Sequence, residues 1–337
     1  MEGDTLIEAG WENLLAVSGR DIYQRKVGIS GMTTINNRVA RTAGIRRRTL
    51  AIVIGAIAPL ATLGLASPAL ATEHHPMGEF APFKDCPLSN VTTADCIFAE
   101  AKSGEFDVGK RAVPISKTIT LQGGFRRNTE LEKLEFIGAE DGNTLSKVAL
   151  PVPGGLLNVV APESLPKFLQ EIFNNFINEG ITGVTATTEL AAPASSIGLS
   201  TENLLLGKGT ALSLPVKIKL GNAFLGESCY VGSNAAPIVI NFTTGTTEPP
   251  PPNKPITGAV GTLTHNEEFT LITLTGGKLV NNSFAAPGVE GCGGLFSFLI
   301  DPAVDSALGL PAAAGHNTAI LEGTLSTANA EAVRASE

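Results

Sequence analysis

From Leu212 to Leu220 apolar and polar residues alternate, with Leu212, Leu214, Val216, Ile218 and Leu220 on one side and Ser213, Pro215, Lys217 and Lys219 on the other. A period of two is that of a β-strand with one face on a core. Pro215 brings no N–H to a ladder, and the two lysines discourage edge-to-edge association, so the pattern predicts a strand at a sheet edge. Shorter apolar runs rich in Thr, Val and Ile, each ended by Gly, Pro or Asn, predict further strands at 113–121, 133–137, 183–190, 237–242, 269–274 and 319–325. One segment has a different period. Leu165, Phe168, Leu169, Ile172, Phe173, Phe176 and Ile177 form a single helical stripe opposite Lys167, Gln170, Glu171, Asn174, Asn175 and Asn178. Pro166 suits its start and Gly180 its end. The fold class expected is therefore all-β or β-rich, with antiparallel sandwich-like sheets and one amphipathic helix, about 163–179, packed on them.

The longest apolar run lies upstream of all these elements. Arg46-Arg47-Arg48, an uncharged stretch from Thr49 through Leu65, and Ala69-Leu70-Ala71 have the charge, apolar core and small-x-small end of a secretory signal peptide cleaved after Ala71. Residues 32–71 are read as that leader, beginning at Met32, and residues 1–31 as a start called too early or a cytoplasmic extension. The alternative is an uncleaved N-terminal membrane anchor, but Gly55, Pro59 and Gly64 interrupt a run already shorter than the roughly 20 residues a bilayer needs.

Residues 72–337 are enough for one large β domain. Eight of the 24 basic and five of the 32 acidic residues precede Thr72, so this part holds 16 basic against 27 acidic residues, a net charge of −11. Such a surface repels phosphate backbones and anionic lipid, which argues against nucleic acid and against strong anionic membrane binding. The four prolines Pro249 to Pro252 cannot enter a sheet, and the stretch 243–255 is either a spacer or an exposed loop.

Cys86, Cys96, Cys229 and Cys292 are the only cysteines, and an even number in an exported chain predicts two disulfides. Three pairings are possible. Proximity in sequence favours Cys86 with Cys96, which leaves Cys229 with Cys292. That second bridge would cross the proline run and make it a loop within a single β-rich domain.

Candidate chemistry is sparse. The chain has no Gly-x-Ser-x-Gly elbow, and of its histidines His265 and His316 read as turn or loop residues rather than catalytic bases. His265-Asn266-Glu267-Glu268 groups potential metal ligands without a second histidine nearby, and His74-His75 reads as a flexible tail. Glu105 with Asp107, and Glu140 with Asp141, supply carboxylates. Sugar sites stack rings on Trp or Tyr, yet the one Trp, Trp11, and one of two Tyr, Tyr23, precede Thr72. No catalytic, metal or cofactor-binding residue is assigned.

Several segments together resemble a family of secreted actinobacterial proteins with no assigned activity. They are Phe83-Lys84-Asp85-Cys86-Pro87-Leu88-Ser89-Asn90, Gly104-Glu105-Phe106, Thr120-Leu121-Gln122-Gly123-Gly124, Leu214 to Leu220, Gly291-Cys292-Gly293-Gly294 and Ala314-Gly315-His316-Asn317. The resemblance implies export and a β-rich fold, and carries over no functional residue. The function expected is a non-enzymatic exported protein of the cell envelope or extracellular space, structural or binding, with an envelope component as the partner considered. The competing expectation is a secreted hydrolase, or a carrier of a small apolar ligand in a pocket beneath the 163–179 helix.

Overall fold

In a computed structural model the chain divides between residues 66 and 67. The structure describes residues 74–128, 133–155, 164, 166–171 and 183–337, all in the unit 67–337. The leader expected at 32–71 and the segment before it lie outside the described residues.

Among the described residues fourteen strands make two antiparallel sheets. In chain order they are β1 (Asp95–Val108), β2 (Arg111–Pro114), β3 (Ile119–Asn128), β4 (Lys133–Gly138), β5 (Ala149–Pro151), β6 (Thr185–Leu190) and β7 (Gly198–Leu199). The chain continues with β8 (Leu212–Gly221), β9 (Tyr230–Val231), β10 (Ile238–Phe242), β11 (Thr262–His265), β12 (Leu271–Asn281), β13 (Val289–Glu290) and β14 (Thr318–Asn329). The helices described over their full length are α1 (Thr201–Leu206), α2 (Ser297–Leu308) and α3 (Ala330–Ala335). The first sheet has the order β11-β12-β14-β1-β3-β4, with β2 also on β1; the second has β13-β9-β8-β6-β5, with β7 and β10 also on β8. Apolar side chains from both sheets, among them Ile97, Leu121 and Phe136 from the first and Leu214, Val216, Ile240 and Phe242 from the second, merge into one buried cluster. The protein is thus β-rich, as the alternation in the sequence requires.

Two expectations are corrected. Strand β8 is not an edge: it pairs with β6 from Val216 to Gly221 on one side and with β10 from Leu212 to Val216 on the other. Its proline is tolerated because of a local gap. The Pro215 carbonyl accepts from the Ala191 N–H (3.0 Å), so the proline nitrogen faces the same side, between the end of β6 at Leu190 and the start of β7 at Gly198. No ladder hydrogen bond is required there. The run 113–121 is likewise not one strand, since β2 ends at Pro114 and β3 begins at Ile119.

Of the helix expected over 163–179, residues 167–171 are described and helical; most of the remainder lies outside the described residues. Its stripe is represented by Phe168 and Leu169. Both are exposed rather than packed on a sheet.

The N-terminal segment is docked, where the sequence predicts a flexible tail at His74-His75. His74 Nδ1 lies 2.6 Å from a Glu337 carboxylate oxygen, and the Met77 N–H donates to the Ser336 carbonyl, so the two ends of the described unit meet. Beneath them Phe83, Cys86, Leu88, Cys96, Ala328 and Val333 form a smaller buried cluster around the Cys86–Cys96 disulfide. Cys229 is bonded to Cys292.

The proline run is a surface loop with fixed ends. Thr247 N–H donates to the Ile256 carbonyl (2.9 Å), and Asn253 Nδ2 donates to the carbonyls of Asn282 (3.0 Å) and Asn317 (2.9 Å). Pro250 to Pro252 are exposed between these ties.

Candidate functional site

The Cys229–Cys292 bridge stands at the base of the most unusual surface of the molecule. Gly291 is left-handed (φ 77°), and a Cβ there would lie 2.4 Å from the Ser228 carbonyl oxygen, so only glycine lets these two segments meet. The turn is then fastened by three further bonds. Asp301, one turn into α2, accepts from the N–H groups of Cys292 (2.8 Å) and Gly291 (3.2 Å), while the Gly293 N–H donates to the Leu225 carbonyl (2.7 Å). Asp305 does the same for Val289 (2.7 Å) from the next turn of α2. The inward side of that helix places Val304 and Leu308 in the core.

Everything fixed in this way presents apolar side chains to water. A 3-10 turn over Gly294–Phe296 leads directly into α2, and Leu295 (93% exposed), Phe296 (62%), Phe298 (70%) and Leu299 (61%) succeed one another around this junction. Phe224, also exposed, belongs to the turn whose next residue, Leu225, is buried and accepts from Gly293. Isolated exposed apolar residues are ordinary, whereas a cluster of five large ones is a signature of an interaction surface.

One apolar cavity of about 50 Å³ lies between the sheets near Phe106, Val113, Val152, Ile218 and Leu310, and a second of about 100 Å³ near Ala99, Leu199, Leu214, Leu274 and Leu325. Arg111 borders the first. Its guanidinium donates to the Ala307 carbonyl (3.0 Å) at the end of α2, where helix carbonyls lack partners, and burial pulls its pKa below the usual arginine value. A polar groove of about 320 Å³ crosses the outer face of the second sheet between Thr185, Thr187, Lys219, Asn222 and Glu227. Lys219 and Glu227, both in its lining, form an ion pair (2.9 Å).

The candidate residues of the sequence occupy ordinary places. His265 stacks on Phe269 in the hairpin between β11 and β12, and Asn266 Oδ1 accepts from the N–H groups of Thr270 and Leu271, which leaves Glu267 and Glu268 exposed at the bend. Asp141 accepts from the Asn143 N–H (2.7 Å), an Asx turn, and Glu140 lies beside it. Glu105 and Asp107 share one side of β1; burial, then repulsion from Glu105, holds the Asp107 pKa above the ordinary aspartate value. His316 is exposed in a turn closed by its own N–H on the Ala313 carbonyl. Among the described residues no three His, Cys, Asp or Glu side chains gather in a metal-holding group.

No family model, curated protein or solved structure matches the chain. The tip formed by Phe224 and 295–299 is not visible in the sequence. Leu295-Phe296-Ser297-Phe298-Leu299-Ile300 reads as an apolar run, and such a run belongs in a core unless the fold holds it outside.

Proposed function

We propose that the chain from Thr72 onward is an exported, non-enzymatic protein of the cell envelope or extracellular space, whose role is to bind through its surface. The observation that carries this reading is a group of large apolar side chains held in solvent by a disulfide and a hydrogen-bonded turn. Ligand pockets occupy roughly 300–1,000 Å³. The two inter-sheet cavities, at about 50 and 100 Å³, are smaller than that, and most of the segment expected to cover a carrier's pocket, 163–179, lies outside the described residues. Two disulfides, of which the second closes on the base of the tip, fit an oxidising compartment. Among the described residues no helix is long and apolar enough to cross a membrane. The resemblance to exported actinobacterial proteins supports the same placement.

The test is to recover the protein from producing cells by fraction, sequence its N-terminus and map its disulfides without reduction. An N-terminus at Thr72 in the medium or envelope fraction, with both bridges formed, is the expected result. Free thiols in a cytoplasmic fraction, or an N-terminus before Ser67, would contradict it.

A further inference from the structure

We propose that Phe224, Leu295, Phe296, Phe298 and Leu299 form a wedge that inserts into the surface of an uncharged or zwitterionic lipid layer. The inference deepens the surface-binding role proposed above and rests on it.

The shape of the tip suits lipid. The four residues at 295–299 run from the 3-10 turn into the first turn of α2, and Leu295, 93% exposed, projects into solvent. A protein partner would have to supply a socket of matching shape, whereas fluid acyl chains close around any projection. Five such side chains expose on the order of 600 Å² of apolar surface, at the upper end for a monomeric protein.

Charge then selects the kind of lipid. Segments 221–228 and 290–309 contain no Lys or Arg, while Glu227, Glu290, Asp301 and Asp305 lie within them. Surfaces that bind anionic membranes carry clusters of Lys and Arg beside the apolar residues, and these segments have none. Attraction must therefore come from the apolar groups alone, and it should be insensitive to salt.

Rigidity adds to the gain. The disulfide, the Asp301 carboxylate and the Gly293–Leu225 bond hold the turn in place before any partner arrives, so little ordering is left to offset the stabilisation on insertion.

Flotation of the chain from Thr72 onward with phosphatidylcholine vesicles tests the proposal. The parent is expected to float equally at about 0.1 M and about 1 M salt. The variant Phe296→Ser/Phe298→Ser/Leu299→Ser should lose at least about tenfold in vesicle partitioning while keeping its melting temperature and both disulfides, because these side chains support no core. Phe298→Ser alone should move in the same direction by less. No flotation of the parent, equal flotation of the triple variant, or flotation that needs anionic lipid and vanishes at high salt would overturn the wedge. A parent dimer that the triple variant dissolves would assign the tip to a second copy, which also overturns it. Recovery from the envelope fraction without vesicle binding would remove lipid as the target and leave the exported binding role standing.

Discussion

Replacing Cys229 and Cys292 together by serine is expected to lower the unfolding free energy by about 4 kcal/mol, since the bridge closes a loop 63 residues long. That is a fall of roughly 10 °C in Tm for a domain of this size. Both cysteines are fully buried, so the lost bridge also removes packing at the base of the tip. Urea unfolding of the parent and the double variant measures the difference. In the parent, a protease cut within Glu248–Pro252 should leave two fragments that migrate together on a denaturing gel until a reductant is added, because the bridge spans the proline loop. An unchanged unfolding midpoint in the double variant would show that strand pairing across the loop, β1 with β14 above all, and core packing unite the two segments without the bridge.

Asn317→Leu is expected to cost about as much, about 4 kcal/mol, without touching an apolar contact. Asn317 is fully buried and close in size to leucine. Its Oδ1 accepts from the Gly109 N–H (3.0 Å) in the turn between β1 and β2, and its Nδ2 donates to the carbonyls of Phe284 (2.9 Å) and Ala313 (3.1 Å). Substitution strands the buried Phe284 carbonyl and the partly buried Gly109 N–H, and each stranded group costs about 1–3 kcal/mol. The neighbouring His316→Ala, at an exposed position, should change stability by less than about 0.5 kcal/mol. Thermal unfolding of the two variants side by side is the check; equal small effects would mean that water satisfies the stranded groups.

Where apolar and polar residues alternate strictly, sequence and structure agree. The inward set of β8, from Leu212 to Leu220, is buried as its period requires, and 133–137, 237–242 and 319–325 lie within or along β4, β10 and β14. The central strand of the first sheet, β1, is illegible in the sequence. Asp95-Cys96-Ile97-Phe98-Ala99-Glu100-Ala101-Lys102 mixes charges with alanine, a helix-compatible composition, and it becomes a strand because β3 and β14 offer partners along its length. The neighbours of β8 are equally hidden, because Pro215 bars hydrogen bonding only on the side that the gap between β6 and β7 leaves open. Asn317 illustrates a third limit. A turn-forming asparagine and a fully buried one carry the same letter, and only the convergence of three chain segments on its amide tells them apart. The tip is the reverse case. Hydrophobicity announces residues 295–300, but not that a glycine turn and two aspartates hold them in solvent.

Contact between the tip and lipid can be read with one fluorophore. Residues 72–337 contain no tryptophan, so Phe298→Trp places a single indole at the tip of the exported form. With phosphatidylcholine vesicles its emission should shift to shorter wavelength and be quenched by lipid brominated in the acyl chains, with no change between low and high salt. Emission that stays that of a water-exposed indole at saturating lipid would contradict insertion of the wedge.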